Sequence, residues 1–151
     1  MTSAAAAAVR PLAPGDRAAW EPLWTGYLAF YGTSLPSAVF ATTWSRLLDP
    51  AEPMHALGAE LDGELVGIVH YLFHRTTWTV GDYCYLQDLF TAEAARGRGV
   101  GRALIEAVYE AARRQGASRV YWHTQDGNTT ARALYDTLAD HPGFTVYRKL
   151  L

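Results

Sequence analysis

The chain has 151 residues, half of them apolar and 19% charged, with a formal net charge of −2. This composition is typical of a globular domain, and it provides no basic field that would attract nucleic acid. No apolar run reaches the ~20 residues that span a bilayer, so no membrane partner is expected. The single cysteine, Cys84, excludes an intrachain disulfide and favours a reducing, cytoplasmic location. We expect one domain over residues 1–151, with a flexible tail over residues 1–9.

Apolar periodicity divides the chain into helices and strands. Spacings of three and four indicate amphipathic helices, whereas short runs of β-branched and aromatic residues indicate strands. Asp62-Gly63, between two such runs, is a strong hairpin signal. In chain order we predict helices over 17–31 and 37–48, strands over 55–61, 64–74 and 82–91, a helix over 100–115, a strand over 118–124, a helix after Asn128 and a strand over 143–150. This order predicts an α/β fold with a mixed sheet, whose β-α-β unit is parallel.

Three alternating glycines join the third predicted strand to the third predicted helix. Glycine lets a ligand approach the backbone, and the unpaired amides of a helix N-terminus favour an anion such as phosphate. The turn matches neither the dinucleotide-binding pattern nor the Walker loop, and the alternative is a flexible turn without a ligand. The predicted phosphate-binding residues are Arg96, Gly97, Arg98, Gly99, Val100, Gly101 and Arg102.

A second motif, Asn128-x-x-Ala131-x-x-Leu134-Tyr135, follows the next predicted strand. The carboxyl ends of adjacent parallel strands meet at one edge of a sheet, so this motif should lie beside the glycine turn. The Tyr135 phenol is a weak acid that can protonate a leaving group. The alternative is that Tyr135 is a core aromatic residue with a satisfied hydroxyl.

Together, these motifs resemble those of the GNAT family of N-acetyltransferases. The family's acetyl-CoA motif, [Q/R]-x-x-G-x-[G/A], is matched by Arg96, Gly99 and Gly101, and N-x-x-A-x-x-L-Y is matched by Asn128, Ala131, Leu134 and Tyr135. The similarity extends over roughly residues 10–150, and within the family the chain resembles the fungal histone/polyamine acetyltransferase branch and its bacterial relatives. It implies a largely antiparallel mixed sheet with a parallel, splayed β-α-β core flanked by helices.

The resemblance also implies an activity, the direct transfer of an acetyl group from acetyl-CoA to a primary amine. The amides of residues 97–102 would hold the diphosphate, and the main chain of Leu89, Phe90 and Thr91 would pair with the pantetheine arm. Asn128 and Ala131 would line the other side of the arm, and Tyr135 would protonate the thiolate. The implied acceptor is a polyamine or an amino acid, and the implied assembly is a homodimer.

The attacking amine needs a base, because an alkylammonium with a pKa of ~10 is not nucleophilic at neutral pH. Some relatives carry Glu at the position of Gln87, where an amide cannot take a proton. Asp88 is therefore the candidate, although strict alternation points it to the other face unless a bulge re-aims it. Asp82 and His74 are further candidates. His70 and His74 share a face without an evident third ligand, so no metal is expected.

Two other functions fit the same motifs. The first alternative is a protein lysine acetyltransferase, whose acceptor is a lysine side chain and which needs a groove for an extended peptide. In the second, the chain binds acyl-CoA without turnover, which the amide at Gln87 favours and the intact Tyr135 disfavours.

Overall fold

The computed structural model describes residues 6–151, which form a five-stranded sheet with helices on both faces. The strands are Ala8–Pro11 (β1), Met54–Leu61 (β2), Glu64–His74 (β3), Tyr83–Thr91 (β4) and Arg119–Tyr121 (β5). The helices are Arg17–Phe30 (α1), Ser37–Leu48 (α2), Val100–Arg114 (α3) and Thr129–Leu138 (α4), with one-turn 3-10 helices at Pro14–Asp16 and Glu93–Ala95. Among residues 6–151, no helix is both long and apolar enough to cross a lipid bilayer.

The strands follow one another across the sheet in chain order, from β1 to β5. The first three pairings are antiparallel, and only β4 and β5 are parallel, joined by the α3 crossover. Asp62 and Gly63 have φ values of 53° and 80°, so both adopt the left-handed conformation that a tight hairpin requires. The predicted α/β fold with a largely antiparallel mixed sheet is confirmed.

One face of the sheet, here called the α3 face, packs against α3. The buried helix residues recur at spacings of three and four, so they form one apolar stripe. Those residues are Val100, Leu104, Ile105, Val108 and Ala112. Their partners on the sheet include Val69, Tyr71, Cys84 and Leu86.

The opposite face, here called the α1 face, packs against α1 and α2. Its core is aromatic, because Trp20 and Trp24 of α1 meet Phe40 and Trp44 of α2. Trp20 is fully buried and lies 4.9 Å from Trp44 between ring centroids. Such aromatic pairs add to the stability that burial alone provides.

A bulge interrupts β4 in the middle of the sheet. Leu86 pairs with Tyr71, and Asp88 pairs with His70, so Gln87 has no partner on β3. The extra residue reverses the alternation of side chains along the rest of β4.

The reversal is visible in the two cores. Leu86 and Leu89 both pack on the α3 face, although they are three positions apart, while Phe90 packs on the α1 face. Asp88 therefore lies on the α1 face, where strict alternation after Leu86 would have placed Gln87.

The parallel pair β4/β5 is short. It joins Tyr83 to Arg119, Cys84 to Val120 and Tyr85 to Tyr121, whereas β4 continues to Thr91. Beyond Tyr85 the two strands separate, and the edge of β4 on that side is not paired with β5.

The N-terminal part of the described chain departs from the sequence prediction. Residues 1–5 lie outside the described residues, but the flexible tail expected over residues 1–9 is wrong for Ala8 and Val9. Both belong to β1, pairing with Glu60 and Ala59. Alanine is a weak strand former, so this edge strand depends on its pairing with β2 rather than on its own propensity.

The strand predicted over residues 143–150 is also wrong. Residues 141–151 contain no helix or strand, and Phe144, Tyr147 and Leu150 are 83%, 95% and 79% exposed. A strand exists only where another backbone satisfies its amides and carbonyls. No other segment of residues 6–151 pairs with this one.

A charge cluster fastens β1 to the rest of the fold. The guanidinium of Arg10 donates to both carboxylate oxygens of Asp16, at 2.7 and 2.9 Å, and to Glu60 at 2.8 Å. The Ala13 amide also donates to Asp16. The hydrogen bond from Arg10, followed by that from Ala13, lowers the pKa of Asp16 to about 2.

Replacing Asp16 with Asn should destabilise the fold in a pH-dependent way. Because the folded pKa of Asp16 lies below that of an unpaired carboxylate, its contribution is complete above about pH 4 and disappears as the pH falls towards 2. We expect a loss of about 0.5–1 kcal/mol at neutral pH, which vanishes near pH 2. Urea unfolding at several pH values measures this loss. Glu21→Gln, which breaks an exposed pair with Arg17 at 3.8 Å, is the control and should have no comparable effect.

Candidate active site

The glycine turn ends at the first residue of α3. Gly97 and Gly99 have φ values of 77° and 78°, a conformation that side chains disfavour, and Gly99 is the N-cap of the helix. Space is open at both positions, since an added Cβ would meet no atom within 4 Å. The first amides of α3 are therefore accessible at the positive end of the helix dipole.

A cleft of about 670 Å³ lies between α1, the end of β4, the glycine turn and α4. It brings together most of the residues that the two motifs predicted, although they come from distant parts of the chain. Its walls are formed by Tyr27, Phe30, Tyr31, Leu89, Phe90, Thr91, Ala95, Arg96, Gly97, Gly99, Val100, Gly101, Arg102, Asn128, Thr130, Ala131, Leu134 and Tyr135. Arg98 is the predicted binding residue that lies elsewhere, in a separate depression beside Asp62 and Glu64.

The separation of β4 from β5 forms one wall of this cleft. Because β5 pairs with β4 only as far as Tyr85, the main chain of Leu89 and Phe90 faces the cleft without a neighbouring strand on that side. The Thr91 carbonyl accepts a hydrogen bond from Arg96 Nε at 3.2 Å. An extended amide-containing chain would find backbone partners along this edge, as an added strand does.

Helix α4 supplies the opposite wall. The side chain of Asn128 accepts a hydrogen bond from the Ala131 amide at 3.4 Å, which caps the helix. One helical turn further, Tyr135 packs edge-on against Trp122, at 5.3 Å between ring centroids. Burial, followed by the neighbouring Tyr31 phenol, raises the pKa of Tyr135. The phenol therefore carries its proton at neutral pH.

The bulge brings Asp88 close to the end of the cleft that is lined by Tyr27. Its side chain is only 13% exposed, and its Oδ2 lies 3.0 Å from His70 Nδ1. Asp88 does not itself line the cleft, but Tyr27, which does, is its neighbour. Burial, then the Asp88 charge, raises the pKa of Tyr27, so a protonated phenol separates the carboxylate from the cleft.

Phenols dominate this end of the site. Tyr85 stacks on Tyr121 at 5.0 Å, and its hydroxyl lies 3.2 Å from His123 Nδ1. Burial, and after it the charge of Asp88, raises the pKa of Tyr85. Neutral aromatic rings around one carboxylate suit a cationic alkylammonium group.

The other residues considered for proton transfer lie in less suitable positions. Gln87 is exposed at the bulge. Asp82 lies 3.3 Å from Arg75. His74 uses both ring nitrogens, with Nε2 at 2.7 Å from the Tyr121 hydroxyl and Nδ1 at 2.8 Å from the Arg75 carbonyl. Of the four residues considered, Asp88 alone is both shielded from solvent and next to a residue that lines the cleft.

Sequence reasoning missed the contribution of His70, which it had considered only as a metal ligand. His70 is 3% exposed and contacts both Trp20 and Asp88 through its ring nitrogens. Its sequence neighbours do not indicate this role, because the bulge that turns Asp88 towards it is set by pairing between strands. The sequence signal that could have revealed this role is the alternation of side chains along β3, which places His70 on the α1 face.

The sequence matches the acetyltransferase (GNAT) family over residues 19–139. It is 38% identical over 143 residues to the D-amino-acid N-acetyltransferase HPA3 of Saccharomyces cerevisiae, covering 93% of this chain and 89% of that protein. It is also 34% identical over 85 residues to the thialysine N-epsilon-acetyltransferase of Caenorhabditis elegans, covering 56% of this chain and 52% of that one.

Solved structures share the fold at lower identity. AAC(6')-Iy, in complex with the bisubstrate analogue CoA-S-monomethyl-acetylneamine, superposes with a TM-score of 0.82 at 19% identity, over 97% of this chain and all of that one. A probable acetyltransferase superposes with a TM-score of 0.83 at 22% identity, over 95% and 97% of the two chains. These similarities show that the chain shares its overall fold with those proteins.

Cys84 should be chemically inert in the native protein. It is fully buried on the α3 face, and burial raises the pKa of its thiol to about 12, so little thiolate exists at neutral pH. We expect a thiol reagent at pH 8 to label the unfolded chain but not the native one, and Cys84→Ala to leave turnover nearly unchanged. Rapid labelling of the native protein, or an acetyl group trapped on Cys84, would contradict this expectation.

Proposed function

Since the chain belongs to the acetyltransferase (GNAT) family, we propose that it transfers the acetyl group of acetyl-CoA directly to a primary amine of a small molecule. The observation that carries this proposal is the cleft between the separated strands, which extends from the glycine turn to Tyr27, the neighbour of the shielded Asp88 carboxylate. Its walls unite the glycine turn, the free edge of β4 and Tyr135.

Three parts of the chain would hold acetyl-CoA, which supplies the activated thioester. The amides of residues 97–102 suit the diphosphate, because they combine glycine backbone, a helix N-terminus and the positive charge of Arg96 and Arg102. The edge of β4 from Leu89 to Thr91 suits the amides of the pantetheine arm. Asn128 and Ala131 close the other side of the cleft.

Asp88 and Tyr135 would handle two of the proton transfers in the reaction. Asp88, directly or through Tyr27, takes the proton that the ammonium must lose before its nitrogen can attack the thioester carbon. As the new C–N bond forms, the nitrogen gives up its second proton to solvent, the C–S bond breaks, and Tyr135 donates its phenolic proton to the departing sulfur. Solvent then restores the proton of Tyr135 and takes up that of Asp88. No covalent acetyl-enzyme is required, in agreement with the inert position of Cys84.

The relatives' names support a small-molecule acceptor of the amino-acid type, since one acts on D-amino acids and others on thialysine. The phenolic surroundings of Asp88 are suited to an alkylammonium group, and the neutral rings would tolerate the uncharged product. We place the reaction in the cytoplasm, where the one unpaired cysteine stays reduced.

The proposal is tested by measuring CoA release with three groups of acceptors. The first group is D- and L-amino acids, the second is thialysine and polyamines, and the third is lysine-containing peptides. Turnover with the first two groups, and product mass increased by one acetyl group, supports the proposal. Turnover confined to peptides would establish a protein acetyltransferase instead. Tight acetyl-CoA binding without release on any amine would establish a binding module.

Gly101→Glu should abolish acetyl-CoA binding while the chain stays folded. An added Cβ at Gly101 meets Leu134 at 3.5 Å, which is ordinary contact, so the new carboxylate enters the cleft and repels phosphate. Calorimetry measures the affinity. Gly15→Glu, at an exposed position outside the cleft with open space around it, is the matched control. Unchanged affinity in the Gly101 variant would contradict the assignment of the diphosphate to this turn.

Tyr135→Phe should lower kcat by about 10²-fold with little change in the KM for acetyl-CoA, because it removes a general acid and leaves the ring in place. Tyr109→Phe is the control, since its hydroxyl bonds the Leu138 carbonyl at 2.9 Å outside the cleft. Steady-state kinetics and thermal unfolding separate a catalytic effect from a structural one. A Tyr135 variant with near wild-type kcat would show that another group protonates the sulfur.

We also propose a homodimer in which residues 141–151 of one copy lie against the other. Phe144, Val146 and Tyr147 are exposed on a segment without helix or strand, and the β5 edge away from β4 has no partner among residues 6–151. A second copy would satisfy both features. Light scattering should give the mass of two chains, and Phe144→Ser with Tyr147→Ser should give the mass of one. A wild-type monomer at high concentration would refute the dimer.

A further inference from the structure

A chain of hydrogen bonds runs from the aromatic core of the α1 face to Asp88. Trp20 Nε1 donates to His70 Nε2 at 3.0 Å, and His70 Nδ1 lies 3.0 Å from Asp88 Oδ2. Trp20 is fully buried and His70 is 3% exposed, whereas Asp88 is 13% exposed and is the neighbour of the cleft residue Tyr27. The chain of bonds therefore begins in the core and ends directly behind the wall of the cleft.

The donor at one end fixes the protons along the chain. An indole N–H only donates, so His70 Nε2 must be the unprotonated, accepting nitrogen. A neutral imidazole then carries its proton on Nδ1, and that proton points to Asp88. Trp20 thus holds His70 in the one tautomer that donates to the carboxylate.

This arrangement also excludes His70 as a base. Its lone pair is directed into the core towards Trp20, and its proton already binds Asp88. The ring also contacts Trp24 edge-on at 4.9 Å between centroids, which restricts its rotation. The remaining effect of His70 is to occupy one oxygen of Asp88 and to hold the carboxylate plane in place.

Apart from His70, the groups that lie near Asp88 are phenols. Tyr27 approaches it from α1 and Tyr85 lies near it on β4, and both phenols remain protonated because their pKa values are raised. With Oδ2 taken by His70, the other oxygen, Oδ1, is left for the hydroxyl of Tyr27 or for an ammonium in the cleft.

We propose, on the premise of the acetyl transfer described above, that His70 is a positioning residue. Locked in its Nδ1–H tautomer by Trp20, it orients Asp88 so that the second carboxylate oxygen faces the cleft wall at Tyr27 and takes the proton of the acceptor amine directly or through that phenol. The bulge at Gln87 is necessary for this arrangement, because it places Asp88 on the same face of the sheet as His70.

Two substitutions of His70 separate this role from a structural one. The amide of Asn lies near the position of Nδ1 and can still donate to Asp88, but it does not reach Trp20. The amide of Gln lies near the position of Nε2 and can still accept from Trp20, but it leaves Asp88 without its donor. A positioning role through Asp88 predicts that H70N is the more active variant, whereas a role confined to core packing predicts that H70Q is.

The experiment measures kcat, the KM for amine and acetyl-CoA binding for both variants, with His55→Gln as the control. His55 is a partly buried histidine that stacks on Tyr71, at 5.3 Å, outside the chain of bonds. We expect H70Q to lower kcat about tenfold or more, and H70N to remain within about threefold of wild type, at equal acetyl-CoA affinity. In an Asp88→Asn background, H70Q should add no further loss, because His70 then has no carboxylate to orient.

The possible results distinguish failure of this inference from failure of the proposed function. H70Q at wild-type kcat, H70N less active than H70Q, or an H70Q loss that persists in the Asp88→Asn background would overturn this inference alone. Absence of CoA release by the wild-type enzyme on every amine would overturn the proposed function, and the inference with it. Calorimetric titration with acetyl-CoA measures the fraction of each variant that is folded and binds acetyl-CoA. The kcat values are divided by this fraction before the variants are compared.

Discussion

The separation of β4 from β5 is the feature on which the rest of the site depends. Parallel strands normally satisfy each other's backbone along their whole length, but here the pairing stops at Tyr85 and Tyr121. Unpaired backbone on a sheet edge is a site for an added chain, and the glycine turn before α3 places the N-terminal amides of that helix next to it, where we propose that the diphosphate binds. The cleft is thus a gap in the sheet, closed by α4, whose position places Tyr135 opposite the β4 edge.

A second irregularity of the same strand links the cleft to the core. The bulge at Gln87 places Leu89 on the α3 face and Asp88 on the α1 face, so one strand gives the cleft a backbone edge and places a shielded acid next to Tyr27. Trp20 and His70 then connect that acid to the tightly packed aromatic cluster. Rigid support of this kind is what a reacting group needs, since small misplacements of catalytic groups are costly.

The sequence predicted the features that local chemistry decides. The glycine turn, the Asp62-Gly63 hairpin and the stripe of α3 follow from glycine geometry and from apolar spacing, and the structure confirms these elements. Features that depend on pairing between distant segments were missed. The face on which Asp88 lies could not be predicted from alternation alone. Strand β1 was not predicted, because it is held by pairing with β2 and by Arg10. The strand predicted in the apolar segment over residues 141–151 is absent, because the segment has no pairing partner among the described residues. Arg98 follows the glycine pattern but lies away from the cleft, and the roles of the site residues stay predictions.

Hydrogen–deuterium exchange with and without acetyl-CoA tests the central claim most directly, because it reports on backbone amides in the two regions that should hold the ligand. The account predicts slower exchange at the amides of residues 97–102 and along the β4 edge from Leu89 to Thr91, with β1 and β2 unchanged. Protection confined to the depression that Arg98 shares with Asp62, or no protection of β4 at saturating acetyl-CoA, would contradict it.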